Sequence, residues 1–279
     1  MLENLNIDCI LELKLHGAAA HFRKFYTNAS SLSYGLPPRT AVAGLIASIL
    51  QRPRDSYYED LASNKLHIAL AIAEDCNWRK QFFTMNYMNS SEGINNAAAH
   101  VQCRLELLLP AGSNKELSWI LYVGYDSTAE GYLKLLAEKI AKQDLGYDIY
   151  LGQRQFRAGI ELIKQYKTSD FKLVESSDYL DTAIDRKQVV TLESNEYDIA
   201  IERMPLEQRN EDIPLKAAKK AASERMAWEP PQDEEISSGL RRSIRFADIL
   251  YEVNGKRLKG NFQGLVELNN SQQSRISFL

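Results

Sequence analysis

Apolar residues at the start of the chain fall on alternate positions. Ile7, Cys9, Leu11, Leu13 and Leu15 interleave with Asp8, Glu12, Lys14 and His16, and Ile10 alone breaks the rhythm. A period of two predicts a half-buried strand that ends at Gly17. Beyond a polar, aromatic and basic stretch opening at His21, the period changes. Val42, Leu45, Ile46, Ile49 and Leu50 recur at helical spacing behind Pro37 and Pro38, which suit a first helical turn. Ala43, Gly44, Ala47 and Ser48 keep this helix thin enough to lie close against a sheet. Arg39 and Thr40 occupy its first turn, where unpaired backbone N–H groups favour an anion. Two readings stay open there: a capped core helix with a surface arginine, or a phosphate-binding helix start.

The run from Leu66 to Ala73 is apolar enough for a central strand. From Trp78 to Met88 aromatics interleave with Arg79 and Lys80, as in an edge strand or hairpin arm. Asn89 to Ala99 (NSSEGINNAAA) has almost nothing to bury and predicts a flexible tip. Together these describe a hairpin projecting from the core, or a surface loop with no partner. Strand character returns at Val101–Leu109 and Trp119–Tyr125. Ser127 with Glu130 forms a capping-box pattern ahead of Tyr132, Leu133, Leu136 and Ile140, predicting a helix over 128–142. Tyr147–Gly152 reads as another short strand.

The order strand, helix, strand, strand, helix, strand predicts an α+β fold on the ferredoxin-like (RRM-like) plan. A smaller β-rich C-terminal part follows, with short strands at Phe156–Ile163, Phe171–Glu175, Val189–Leu192 and Tyr197–Arg203. The expected division is 1–163, with the hairpin as an insertion at 78–100, and 164–279. Residues 205–235 are highly charged and predict a solvated insertion with a polar helix over 215–228. Ile244–Val253, Asn254-Gly255 and Arg257–Leu268 read as a terminal hairpin, because Asn-Gly is a strong hairpin signal.

Composition narrows the function classes. The 279 residues are 44 % hydrophobic and 25 % charged, which describes an ordinary globular protein able to bury a full core. Lys and Arg number 34 against 37 Asp and Glu, a net charge of −3. That argues against coating nucleic acid by bulk electrostatics, though not against one local basic groove. Three scattered cysteines, Cys9, Cys76 and Cys103, make neither a disulfide framework nor a zinc site. With no apolar run of membrane-spanning length and no signal pattern at the N-terminus, a cytoplasmic protein is expected.

The four histidines, His16, His21, His67 and His100, lack metal-ligand spacing, and neither a metal nor a cofactor is expected. There is no phosphate-cradling glycine loop and no nucleophile-elbow motif. His21 or His100 beside a Tyr or Lys could serve acid–base cleavage of RNA, but a lone His is more often a structural hydrogen-bonder. The recurring combination is a cation beside aromatics: Arg23 and Lys24 with Phe25 and Tyr26; Tyr34 with Arg39; Arg79 and Lys80 with Phe82 and Phe83; Arg154 and Arg157 with Phe156. Cations hold phosphates and aromatic faces stack unpaired bases, which is how single-stranded RNA is gripped.

The stretch HFRKFYTNASSLSYGLPPRTAVAGLIASIL, from His21 to Leu50 behind a first strand, resembles the N-terminal signature of the fifth family of CRISPR-associated proteins (Cas-five). YDIYLGQRQFRAGI, Tyr147 to Ile160, resembles a second block of that family, and ERMPLEQR from Glu202 fits its type I-B branch more loosely. The resemblance implies a RAMP domain with a thumb at Trp78–His100, in a subunit that caps the 5′ handle of the guide crRNA within a Cascade complex. Its implied partners are the backbone subunit (Cas-seven), the large subunit (Cas-eight) and, indirectly, target DNA. The RNA-binding residues so expected are Arg23, Lys24, Tyr26, Tyr34, Arg39, Thr40, Arg79, Lys80, His100, Arg104 and Arg154. A type I-C branch also cuts precursor RNA with a Lys directly before its His. Here Ala99 precedes His100, so a non-catalytic subunit is expected. A metal-independent endoribonuclease is the alternative, with Tyr34 in the third role.

Overall fold

A computed structural model describes residues 7–27, 30–74, 76–88, 96, 100–126, 130–193, 197–211 and 240–279. Its elements in chain order are β1 (Ile7–Gly17), β2 (Phe22–Arg23), β3 (Ser30–Ser31), β4 (Ser33–Tyr34), α1 (Arg39–Ile49), β5 (Leu66–Ile72), β6 (Trp78–Met88), β7 (His100–Pro110), β8 (Leu117–Asp126), α2 (Glu130–Ala141), β9 (Gly159–Lys167), β10 (Phe171–Leu180), β11 (Ile184–Asp185), β12 (Val189–Leu192), β13 (Ile199–Glu211), β14 (Leu240–Glu252), β15 (Leu258–Leu268) and β16 (Arg275–Ile276). Among the described residues strands dominate, and two α-helices complete an α+β architecture.

The alternating first strand lies inside an antiparallel sheet of order β5-β8-β1-β9, with α1 between β1 and β5 along the chain and α2 between β8 and β9. Leu11, Leu13 and Leu15 share one apolar cluster with Val42, Leu45, Ile46 and Ile49 of α1 and Leu133, Leu136 and Ile140 of α2. Each fully buried Leu or Ile stabilises the fold by roughly 1.5–3 kcal/mol. The opposite face is covered too. Ile10, the residue that breaks the alternation, packs with Tyr122, Tyr166, Val266, Leu268 and Ile276. From Leu11 to Gly17 the strand keeps the expected half-buried alternation, with Glu12, Lys14 and His16 only partly covered, and at Ile10 β15 and β16 cover the second side as well.

Behind this sheet lie β10-β15-β12, with β16 on β15, and the separate sheet β11-β14-β13. Met204, Leu206, Ala247, Ile249 and Tyr251 join the cluster built on β1 and α1, so apolar packing is continuous between the two halves of the chain. Strand β9 runs to Lys167, across the boundary expected at 163.

Four sequence readings need correction. Tyr147–Gly152 is not a strand. Ile149 and Leu151 are buried, but a single bridge joins Tyr150 to Arg157, and Gly152 turns the chain back at φ +85°. A Cβ at Gly152 would stand 1.9 Å from the His21 carbonyl oxygen, so only glycine fits. The sheet's last strand is the following segment, β9. Asn254-Gly255 does turn the chain, at φ +74°, yet β14 and β15 do not pair with each other. Glu252 accepts from the Asn254 and Lys256 N–H groups, and Gly255 lies against the Ile72 carbonyl, which sends the two strands into different sheets. Residues 205–211 open no insertion, since Pro205–Glu211 continue β13 along β14, with register shifts on either side of Glu207. The helix expected at 215–228 lies outside the described residues, as does the tip from Asn89 to Ala99 except Asn96. Finally, the hairpin's return arm extends to Pro110 rather than ending at 100.

Candidate nucleic-acid interface

Strands β6 and β7 pair residue by residue from Trp78↔Pro110 to Met88↔His100. Their base is anchored to the core. Ala20 and Leu108 exchange backbone hydrogen bonds of 3.1 and 2.9 Å, β3 pairs in parallel with β7 at Arg104 and Leu105, and Trp78 Nε1 donates to the Val253 carbonyl at 2.9 Å. Along the hairpin Phe82, Phe83, Met85, Met88 and Val101 are exposed. The sequence there shows no clean alternation, and correspondingly no face of the ribbon is buried along its length.

His21, just before β2, links the segment between β2 and β4 to this hairpin. Its Nδ1–H donates to the Glu106 carbonyl at 2.7 Å, and its Nε2 accepts from the Ser31 hydroxyl at 2.8 Å. Burial pushes the imidazole pKa down and so favours the neutral ring, in which Nε2 is the acceptor. His21 is thus a buried strut between loop and hairpin.

A charged network surrounds the strut. Lys24 Nζ lies 2.6 Å from Glu202 Oε1, while Glu202 Oε2 accepts from the Tyr251 hydroxyl at 2.8 Å and the Gly35 N–H at 3.1 Å. Lys80 donates to the Ser33 carbonyl at 2.8 Å and lies 3.7 Å from both Glu202 and Glu106. Glu106 in turn accepts from the Ser33 N–H at 2.8 Å. Burial pushes the Glu202 carboxyl up, but Lys24, Lys80 and Tyr251 outweigh it and hold it below the usual carboxylate range. Burial works against the Lys24 cation too, yet Glu202 and Tyr26 lift its pKa above the ordinary lysine value.

The expected site residues divide into two groups. Arg23, Tyr26, Arg79, Arg104 and Arg154 are exposed. Tyr26, 50 % exposed, stands beside Phe25 at 48 %, with ring centroids 5.1 Å apart and Lys24 Nζ 6.0 Å above the Tyr26 ring. The rest turn inward or stand apart. Lys24, half-buried, and Lys80, still exposed, both belong to the Glu202 network. Tyr34 is fully buried and donates its hydroxyl to the Arg203 carbonyl at 2.7 Å, and burial raises its pKa. Arg39 is 2 % exposed and donates to the carbonyls of Leu206, Leu61 and Leu66, so it is neither a surface arginine nor turned toward an outside phosphate. Burial lowers its pKa to about 10. Thr40 beside it lines a cavity of about 450 Å³ with Tyr57, Tyr58, Glu207 and Arg209. Three of its four carboxylates are already engaged: Asp55 by Arg241 and Tyr58, Asp60 by Arg52, Glu207 by Arg245.

His100 stands at the far end of the paired hairpin, opposite Met88, rather than at its base. Ser31, which lies beside Leu105, is five positions back along β7, or roughly 17 Å at about 3.3 Å per residue. Sequence reasoning missed Glu202, Tyr251 and Glu106. Each is a single charged or polar residue within an ordinary strand, and only pairing between distant segments gives it a partner. Among the described residues no group of three or more His, Cys, Asp or Glu side chains is placed to hold a metal, and no helix is long and apolar enough to cross a membrane.

Exposed rings beside exposed arginines, on a ribbon and loop locked at their base, can stack bases and contact phosphates. The chain belongs to the family described as CRISPR-associated protein (Cas_Cas5), whose model matches residues 10–227. No curated protein matches it. Among solved structures, one described as "CRISPR RNA-guided surveillance complex" is 12 % identical, covering 87 % of this chain and 91 % of that one at a TM-score of 0.44. "Crystal structure of Cas protein" is 12 % identical over 90 % and 95 %, at 0.42. "Crystal Structure of CRISPR-associated Protein" is 16 % identical over 57 % and 69 %, at 0.30. Membership rests on the sequence match.

Proposed function

We propose that this chain is a non-catalytic RNA-binding subunit of a type I CRISPR Cascade complex, on the I-B plan, that caps the 5′ handle of the guide crRNA. In this reading the sheet of order β5-β8-β1-β9 with its two helices is a ferredoxin-like RAMP domain, and β6–β7 is its thumb. The backbone and large subunits, and through them target DNA, are its partners, in the cytoplasm. The observation that carries the proposal is the joint at the hairpin base. There His21 and the Glu202 network hold an aromatic loop and a basic ribbon in one fixed arrangement, leaving Arg23, Tyr26, Arg79 and Arg104 outward. A net negative chain can bind RNA this way, because only the arginines near the bound strand release counterions.

The endoribonuclease alternative draws no support from this geometry. His21 has both ring nitrogens engaged, Tyr34 is buried, and His100 lies far along the ribbon from the loop.

Binding of single-stranded repeat RNA across a salt series tests the proposal. Arg79→Ala and Arg104→Ala are each expected to lower affinity and reduce the slope of log K against log salt by about 1. An unchanged slope in both would place the ribbon against protein instead. Single-turnover incubation with precursor repeat RNA in EDTA is expected to give no discrete cut. A cut made by the wild type and lost in His100→Ala would overturn the non-catalytic reading.

A further inference from the structure

The C-terminal sheet reaches the same loop at a place where no sequence motif points to RNA. Phe246, opposite Pro205 across β13 and β14, brings its ring centroid to 4.6 Å from that of Phe25. Phe25 meets Tyr26 edge-on at 5.1 Å, and the Arg203 guanidinium lies 5.9 Å from the Phe246 centroid. A cation and three rings thus form a continuous row, one half from the loop and the other from strands far later in the sequence.

We propose that Arg203, Phe246, Phe25 and Tyr26 form a stacking platform for unpaired RNA nucleotides. It rests on the RNA-binding reading above and extends the interface onto the C-terminal half. Three observations favour RNA as the occupant. The loop rings stand about half exposed, so ring surface is accessible to unpaired bases. The row is continuous with Lys24, which lies above Tyr26, and so with the loop of the proposed interface. Arg203 pairs with Asp248 at 3.3 Å, well exposed on both sides, a contact weak enough to be shared with a phosphate. Ile201 and Ile244 are exposed on the same pair of strands, which makes a protein partner the competing occupant.

The test is fluorescence anisotropy of the full chain with labelled single-stranded repeat RNA. Phe246→Ala and Tyr26→Ala are each expected to weaken binding roughly 5- to 100-fold, the range for one lost base stack, with the salt slope unchanged because no phosphate contact is removed. Phe246→Trp is expected to restore affinity. Phe246→Leu, which keeps apolar volume and removes the ring, separates stacking from folding and is expected to bind as weakly as Phe246→Ala. Wild-type affinity in both Phe246→Leu and Tyr26→Ala overturns the platform. If Arg79→Ala and Arg104→Ala still weaken binding in that case, the RNA-binding reading stands without it. Unchanged RNA affinity with loss of co-purifying subunits assigns the row to a protein interface and also overturns the platform. Absence of RNA binding by the wild type overturns both readings.

Discussion

Glu202→Ala is expected to destabilise the protein by about 3–5 kcal/mol, as removal of one member of a buried ion pair does, because Lys24 is then left nearly buried without its carboxylate. The Tyr251 hydroxyl and the Gly35 N–H lose their acceptor at the same time. Urea unfolding at neutral pH measures the loss, and a change within 0.5 kcal/mol would show that the network contributes nothing. The pH dependence gives a second reading. Glu202 has a lowered folded-state pKa, so its contribution is complete above the ordinary carboxylate pKa and disappears as pH falls through the lower folded value. Lys24 has a raised one, so its share is complete below the ordinary lysine pKa and disappears as pH rises through the raised value. The wild type should therefore weaken below about pH 4 with a limb that Glu202→Ala lacks. Within the RNA-binding reading, the variant's hairpin and loop lose their fixed relation, and RNA affinity should fall even though Glu202 itself repels phosphate.

Arg39→Met is expected to cost about 3 kcal/mol or more. The substituted side chain fills similar space but leaves the carbonyls of Leu206, Leu61 and Leu66 without their guanidinium donor inside the core. Arg39→Lys should recover only part of the loss, since one ammonium cannot reproduce the planar fork that reaches three acceptors. Thermal unfolding checks both variants. The measurement also separates the two readings of the helix start: a phosphate-binding arginine would change the salt slope of RNA binding and leave stability alone, whereas the buried arginine does the reverse.

Much of the fold is legible in the sequence where local period decides it. β1, α1 and β5 follow from spacing alone, and β12 has its expected bounds, Val189–Leu192. Pairing is what the sequence does not carry. Asn254-Gly255 has the chemistry of a hairpin turn, yet which strands meet is settled by Glu252 and by the crowding of Gly255 against Ile72. Tyr147–Gly152 has a strand's apolar positions, and Ile149 and Leu151 are buried as that pattern asks, but the backbone turns at Gly152. For the candidate site, residue type identified the right loop and ribbon without telling which way each cation points. Arg23, Arg79 and Arg104 face out, while Lys24 and Arg39 turn in, because their partners Glu202 and the Leu206 carbonyl come from distant strands; Lys80 stays exposed while reaching Glu202 and Glu106. A lone Glu in the alternation of β13 gives no sign of that from sequence.

The order of strands in the central sheet bears on how the protein is made. β1 pairs only with β8 and β9, strands that begin at Leu117 and Gly159. At about 5–20 residues per second of synthesis, the hundred residues separating β1 from β8 imply roughly 5–20 s during which β1 has no strand partner. Over that interval Ile7, Ile10, Leu11, Leu13 and Leu15 are a nascent segment with high aggregation propensity, and α1 is the first long element available to shelter it. Asp8, Glu12 and Lys14, spaced through the same stretch, supply the charge that discourages premature strand-to-strand association between neighbouring ribosomes. Neutralising all three should lower the soluble yield of newly made chains more than it lowers the stability of protein already folded.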